Sequence, residues 1–229
     1  MSLTNLWAAF AAMVVMGCGA AAVASNPDSK DPKGAEKLLQ AASQGDAATV
    51  SELLKQGVPV DVRDAADSTP LLLATAGGHV EVARVLIEAG ANVNLQNRQL
   101  DSAYLLAGAQ GELDILRMTL KAGADLKSTN RYGGTALIPA CERGHVEVVR
   151  TLLQAGVDPN HINNLGWTGL LEAVLLSDGG PRHQAIVRLL LDGGADVNLA
   201  DRGGVTPLQH ARQRNQTAIA EMLVAAGGR

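Results

Sequence analysis

Thr69-Pro70-Leu71 returns as Ser102-Ala103-Tyr104, Thr135-Ala136-Leu137, Thr168-Gly169-Leu170 and Thr206-Pro207-Leu208, at intervals of 33, 33, 33 and 38 residues. A separate series, Gly57, Gly90, Gly123, Gly156, Gly194 and Gly227, is spaced by 33, 33, 33, 38 and 33. Two unrelated features therefore keep one period and absorb one five-residue insertion at the same place. A period of this length marks a repeat architecture, in which each unit is too small to bury its apolar face alone and neighbours must stack.

Each unit reads as a pair of helices. The Thr or Ser is an N-cap whose hydroxyl accepts an amide of the first turn, and the proline that follows it in two units has the φ of a first helical residue. Short Ala/Leu segments such as Leu71–Ala76 form the first helix, and Gly45, Gly78, Gly111 and Gly144 make the turn into a second. Apolar residues at helical spacing, Val82, Val85 and Leu86 or Val148, Val149, Leu152 and Leu153, line that second helix. Segments such as Gly90-Ala91-Asn92-Val93-Asn94 then lead to a short hairpin. These motifs resemble the ankyrin repeat. The resemblance implies an all-α solenoid of six helix-turn-helix units with short β-hairpin loops, covering residues 33–228. The units fall near 33–63, 64–96, 97–129, 130–162, 163–200 and 201–228. Within them, the segments Asn130–His145 and Asn163–Gln184 are similar to a subgroup of small bacterial ankyrin repeat proteins, and by architecture alone the chain resembles periplasmic ankyrin repeat proteins.

The resemblance also implies a role: ankyrin scaffolds bind other proteins through loop tips and the concave face of their first helices. On that register Arg98, Arg131, Tyr132 and Trp167 lie at tips, and Glu142, Arg143 and Glu172 on first helices. These seven are the candidate partner-binding residues. Aromatics are only 2% of the chain, so Tyr132 and Trp167 stand out, and aromatic and arginine side chains dominate binding hot spots. For Trp167, packing against a neighbouring loop is the competing reading. His79, His145 and His183 occupy the family's Gly-His position, which implies a structural ring that bonds the next unit. Cys141 reads as a small buried hydrophobe. The insertion falls within Ser177–His183, between the two helices of the fifth unit, as an extended turn.

The formal net charge of −4 argues against a nucleic-acid partner, which requires a basic surface. With two cysteines and no His pair at ligand spacing, neither a metal nor any other cofactor is expected. Glu142 and Glu172 on adjacent first helices are the one pair suited to acid–base chemistry. A small-ligand or hydrolytic cleft between the fourth and fifth units is therefore the alternative to a non-catalytic module.

The N-terminus carries a different message. Residues 6–24 are apolar or small and end in Ala22-Val23-Ala24, and a polar stretch, 25–32, follows. That order is that of a secretory signal, although no basic residue precedes Lys30. Three outcomes stay open: cleavage after Ala24 into the periplasm, lipidation at Cys18 in Val15-Met16-Gly17-Cys18 to give a passive structural lipoprotein, or retention as an inner-membrane anchor. Only in the last two does the membrane take part.

Overall fold

The structure is a computed structural model that describes residues 32–229. The signal or anchor over 1–24, Cys18 and the linker up to residue 31 lie outside the described residues. The described chain forms six consecutive helix pairs: α1 (Pro32–Gln44) and α2 (Ala47–Lys55), α3 (Pro70–Ala76) and α4 (Val80–Glu88), α5 (Ala103–Gln110) and α6 (Leu113–Lys121). They continue as α7 (Leu137–Glu142) and α8 (Val146–Gln154), α9 (Gly169–Leu175) and α10 (Pro181–Asp192), α11 (Pro207–Gln213) and α12 (Thr217–Ala225). First helices stack on first helices and second on second, so the main contacts between helices are within a unit or between neighbouring units. Pro32, assigned above to the linker, is already helical.

The expected caps form at Thr69, Ser102, Thr168 and Thr206, each hydroxyl accepting the amide three residues on. Unit four departs. Pro139 has no amide and its ring crowds the carbonyl four residues back. Ile138 N–H takes the Thr135 carbonyl instead, α7 starts only at Leu137, and the buried Thr135 hydroxyl is left without a hydrogen-bond partner. The result is the shortest helix among the described residues, on the wall of the concave face.

One continuous apolar layer runs through the stack, built from Leu38, Leu86, Ile115, Leu116, Leu152, Ile186, Leu190 and Leu223 with many alanines between them. Small residues set the helix spacing. At Gly108 an added Cβ would lie 2.8 Å from the Ala136 Cβ, so α5 and α7 touch almost backbone to backbone. Tyr104 sits at the leucine position of its unit, fully buried, with its hydroxyl unpartnered.

The loops differ from the hairpins expected. Among the described residues there is no strand. Each tip is a five-residue turn closed by two backbone bonds, for example Asn130 N–H to Gly134 O and Gly133 N–H to Asn130 O. It is organised by one side chain, Asp64, Asn97, Asn130, Asn163 or Asp201, whose Oδ1 accepts two amides within its own loop. A turn satisfied internally leaves too few free groups for a ladder, and adjacent tips are joined by single bonds such as Asn164 N–H to Tyr132 O at 2.9 Å.

A second set of side chains ties unit to unit. Asn94, Asn160 and Asn198 each donate to a glycine carbonyl of the next unit and accept an amide two residues beyond it. In unit three the equivalent residue is Lys127, which has no acceptor to offer that amide. Lys127→Asn is expected to restore both bonds between units three and four. At about 0.5–1.5 kcal/mol per hydrogen bond, the urea midpoint should rise by the equivalent of roughly 1–2 kcal/mol. An unchanged or lowered midpoint would show that the clamp contributes nothing at this joint.

The insertion is divided between loop and helix. The turn between α9 and α10 is two residues longer than the one between α3 and α4, and α10 starts three residues earlier relative to its closing glycine. Pro181, Arg182 and His183 are therefore helical and do not belong to the turn.

Candidate functional site

The concave face is formed by the first helices, and its most distinctive section lies across units four and five. Asn130, Tyr132, Ile138, Pro139 and Glu142 from one side and Asn163, Leu165 and Glu172 from the other bound a cleft of ≈ 300 Å³, its open mouth included. The shortened α7 sets its floor, because Pro139 stands where units two and three place Leu73 and Leu106. In the same column unit five carries Glu172 and unit six His210.

Glu172 is the anomaly of the site. It is only 5% exposed, yet among the described residues no cation is bonded to it. Asn163 donates to its Oε1 at 2.8 Å. Burial, and then the neighbouring charge of Glu142, push its carboxyl up to about 8. Glu142 is half-buried and also raised by burial, against the pull of Arg143. The Asn163–Glu172 pair has a counterpart in unit six, where His210 Nε2 meets Asp201 Oδ2 at 2.8 Å.

The structure thus brings Tyr132, Glu142 and Glu172 to one cleft and places the other candidates around or away from it. Arg131 stacks 5.2 Å from the centre of the Tyr132 ring. Arg143, on α7, turns back to unit three and donates to Ala109 O at 2.8 Å. Arg98 belongs to the tip of unit three and pairs with Asp67 at 3.0 Å, joining two loops. Trp167 is half-buried behind its tip, while Leu165, two residues earlier, is the exposed side chain. Asn163 was missed in the sequence, and Leu165, legible as a tip position, was not singled out for binding. The signal for Asn163 was there, in the 33, 33, 33 and 38 spacing of the Asp/Asn residues that open each tip.

The histidines reach the other way from the direction expected. His79 Nε2 lies 3.1 Å from Ser43 O and His183 Nε2 3.0 Å from Glu142 O, each in the preceding unit. The ring packs against that unit's turn, where Gly45, at φ +78°, would place a Cβ 2.7 Å from His79 Nδ1. His145 faces the Ala109 carbonyl, which already accepts from Arg143 at 2.8 Å, and among the described residues its Nε2 has no partner at good hydrogen-bond geometry. Burial and the adjacent guanidinium hold its imidazole below the ordinary value. Cys141 is fully buried and its thiol is pushed well up. Among the described residues no group of three or more His, Cys, Asp or Glu side chains is placed to hold a metal ion, and no helix is long and apolar enough to cross a membrane.

Comparison with known proteins gives three results. A family profile of ankyrin repeats (three copies) matches residues 10–97 and 104–201. The putative ankyrin repeat protein YahD of Escherichia coli K12 is 54% identical over 57 residues, which are 25% of this chain and 28% of that relative. Among solved structures, an ankyrin repeat domain from Acinetobacter baumannii AYE is 57% identical with a TM-score of 0.82, covering 84% of this chain and 98% of that one. A second ankyrin repeat protein is 44% identical with a TM-score of 0.80, covering 83% and 97%. The ankyrin repeat domain of Bcl-3, a member of the IkappaB family, is 30% identical with a TM-score of 0.75, covering 84% and 86%.

Proposed function

We propose, for a chain that belongs to the ankyrin repeat family, that it is a non-catalytic interaction module binding a partner protein through the concave face and loop tips of units three to five. Ankyrin repeats are generally protein–protein interaction modules and generally non-catalytic scaffolds. The observation that carries the placement is where apolar surface is left uncovered. Of the five exposed large hydrophobic side chains among the described residues, four, Leu100 at 47%, Tyr132 at 45%, Ile162 at 48% and Leu165 at 38%, belong to successive loops of units three to five. Exposed apolar groups clustered beside polar ones mark an interaction surface, whereas scattered single ones do not. The second helices, by contrast, expose mostly charged residues held in local pairs such as Arg84–Glu81 and Arg150–Glu147.

The module works at the bacterial envelope, in the periplasm, and the apolar run followed by a polar stretch at the N-terminus supports export. The acid–base alternative draws support from the raised Glu172 carboxyl. The cleft walls, however, supply no nucleophile with a base beside it, so recognition accounts for more of the geometry.

The test is affinity capture of the full chain from chemically crosslinked cells. Tyr132→Ala/Leu165→Ala is expected to lose the captured protein by about tenfold or more, in keeping with the size of aromatic hot spots, while Val224→Ala retains it. Equal loss from both variants, or from neither, contradicts the placement of the interface.

A further inference from the structure

We infer that the cleft between units four and five receives the cationic side chain of a lysine or arginine from the bound partner, with the Glu142 carboxylate as its counter-charge, the Glu172 carboxyl as a further acceptor, and Tyr132, Ile138, Pro139 and Leu165 as the sleeve around its methylene stem. The inference rests on the partner-binding reading above and names the chemistry of the residue that anchors the partner.

Three observations carry it. Glu172 is 95% buried, the complement of its 5% exposure, and lines the cleft. Asn163 satisfies one of its oxygens, and the other has no hydrogen-bond partner among the described residues. That second oxygen is not sealed from solvent, so a cation donating into the cleft replaces water there with a charge-assisted bond. The Glu142 carboxylate likewise accepts no bond from the protein, since only its backbone carbonyl is engaged, by His183.

No cation among the described residues already fills the role. Neither lysine nor arginine is among the residues that line the cleft. Arg143, the arginine whose charge reaches both carboxyls, is committed to Ala109 O in unit three. Arg131 is held over the Tyr132 ring and toward Asp101, also in unit three.

Size and wall chemistry narrow the occupant. The cleft is a shallow notch with an enclosed volume of only ≈ 30 Å³, which seats the end of one side chain with its stem along the open mouth, not a helix or a nucleotide. Apolar walls leading to a charged end match a side chain with an aliphatic stem and a cationic head.

The test uses the full-length chain and four blocked amino-acid amides as probes: N-acetyl amides of lysine, arginine, norleucine and Nε-acetyl-lysine. Binding is followed by NMR of the Ile138 methyl and Trp167 indole signals. The lysine or the arginine probe is expected to saturate at least about tenfold more tightly than norleucine or acetyl-lysine, the ratio a lost ion pair of roughly 1.4 kcal/mol produces. The isosteric variant Glu142→Gln/Glu172→Gln, its fold checked by circular dichroism, should abolish that preference. Equal affinity for the norleucine probe, no binding of any probe, or an unchanged preference in the double variant each overturns the inference.

The same variant put through the cell capture separates the two claims. Capture of the partner at full yield by Glu142→Gln/Glu172→Gln overturns the cationic anchor and leaves the interface standing. Failure of the unaltered chain to capture any partner overturns the interface reading itself.

Discussion

Glu172→Gln is expected to make the protein markedly more stable at about pH 8.5 and to leave its stability nearly unchanged at about pH 4.5. The folded state holds the carboxyl at about 8, against an ordinary value of 4.5. A carboxyl raised in this way favours folding below its unfolded value, where both states are protonated. As pH climbs through the window from 4.5 to about 8, the unfolded chain ionises and the folded one does not. Folding then loses up to about 1.4 kcal/mol per pH unit, a total on the order of a few kcal/mol once the folded value is passed. Glutamine keeps the Asn163 bond and cannot ionise. Urea midpoints of the parent should therefore fall across this window and those of the variant should stay nearly level. Parallel pH profiles would show that Glu172 is not buried as described. Because Glu142 is the second cause of the shift, Glu142→Gln should make the fall of the parent profile smaller and end it at lower pH, by bringing the Glu172 carboxyl down.

Leu152→Ala carries the second large effect. Leu152 is fully buried in α8, and α8 packs between α6 and α10. Removing most of a buried leucine costs about 2–5 kcal/mol through lost burial and the cavity left behind. In a stack where each unit touches only its neighbours, a loss in the fourth of six units also uncouples the two ends. Unfolding in urea should shift to lower midpoint and broaden into two steps, with units one to three separating from five and six. Val224→Ala, at a side chain 50% exposed, should change stability by less than about 0.5 kcal/mol. A single sharp transition for Leu152→Ala, displaced no further than that control, would contradict the nearest-neighbour description.

How far these results were legible before any coordinates depends on the kind of interaction. The helix pairs were legible because caps, turn glycines and apolar spacing are local and recur at one period. Unit four shows where local reading fails: Thr135 has the right neighbours for a cap, and Pro139, four residues on, moves the helix start away from it. The histidine direction was not legible either. A ring at the turn between two helices has units on both sides, and only the stacking places the Ser43 and Glu142 carbonyls within its reach.

The cleft was half-visible. Equivalent positions on adjacent first helices put Glu142 near Glu172, and the column Leu73, Leu106, Pro139, Glu172, His210 marks the glutamate as out of place in an otherwise mostly apolar series. What spacing alone does not contain is depth. Glu172 is buried because the tip of unit five folds back through Asn163, and Leu165 takes the exposed place that Trp167 was expected to fill. A buried carboxyl that lowers stability at neutral pH is rarely kept without a purpose, and the cationic anchor proposed above would be one.

The most direct test is a photo-crosslinking amino acid placed one position at a time in the full chain and activated in living cells. Position 165 represents the loop tips beside the cleft, position 150 the outer face of the second helices, and position 224 the last helix. A discrete adduct with another protein at 165, and none at 150 or 224, is the expected result. Adducts at 150 or 224 with none at 165 would place recognition on the opposite side of the solenoid and contradict the account.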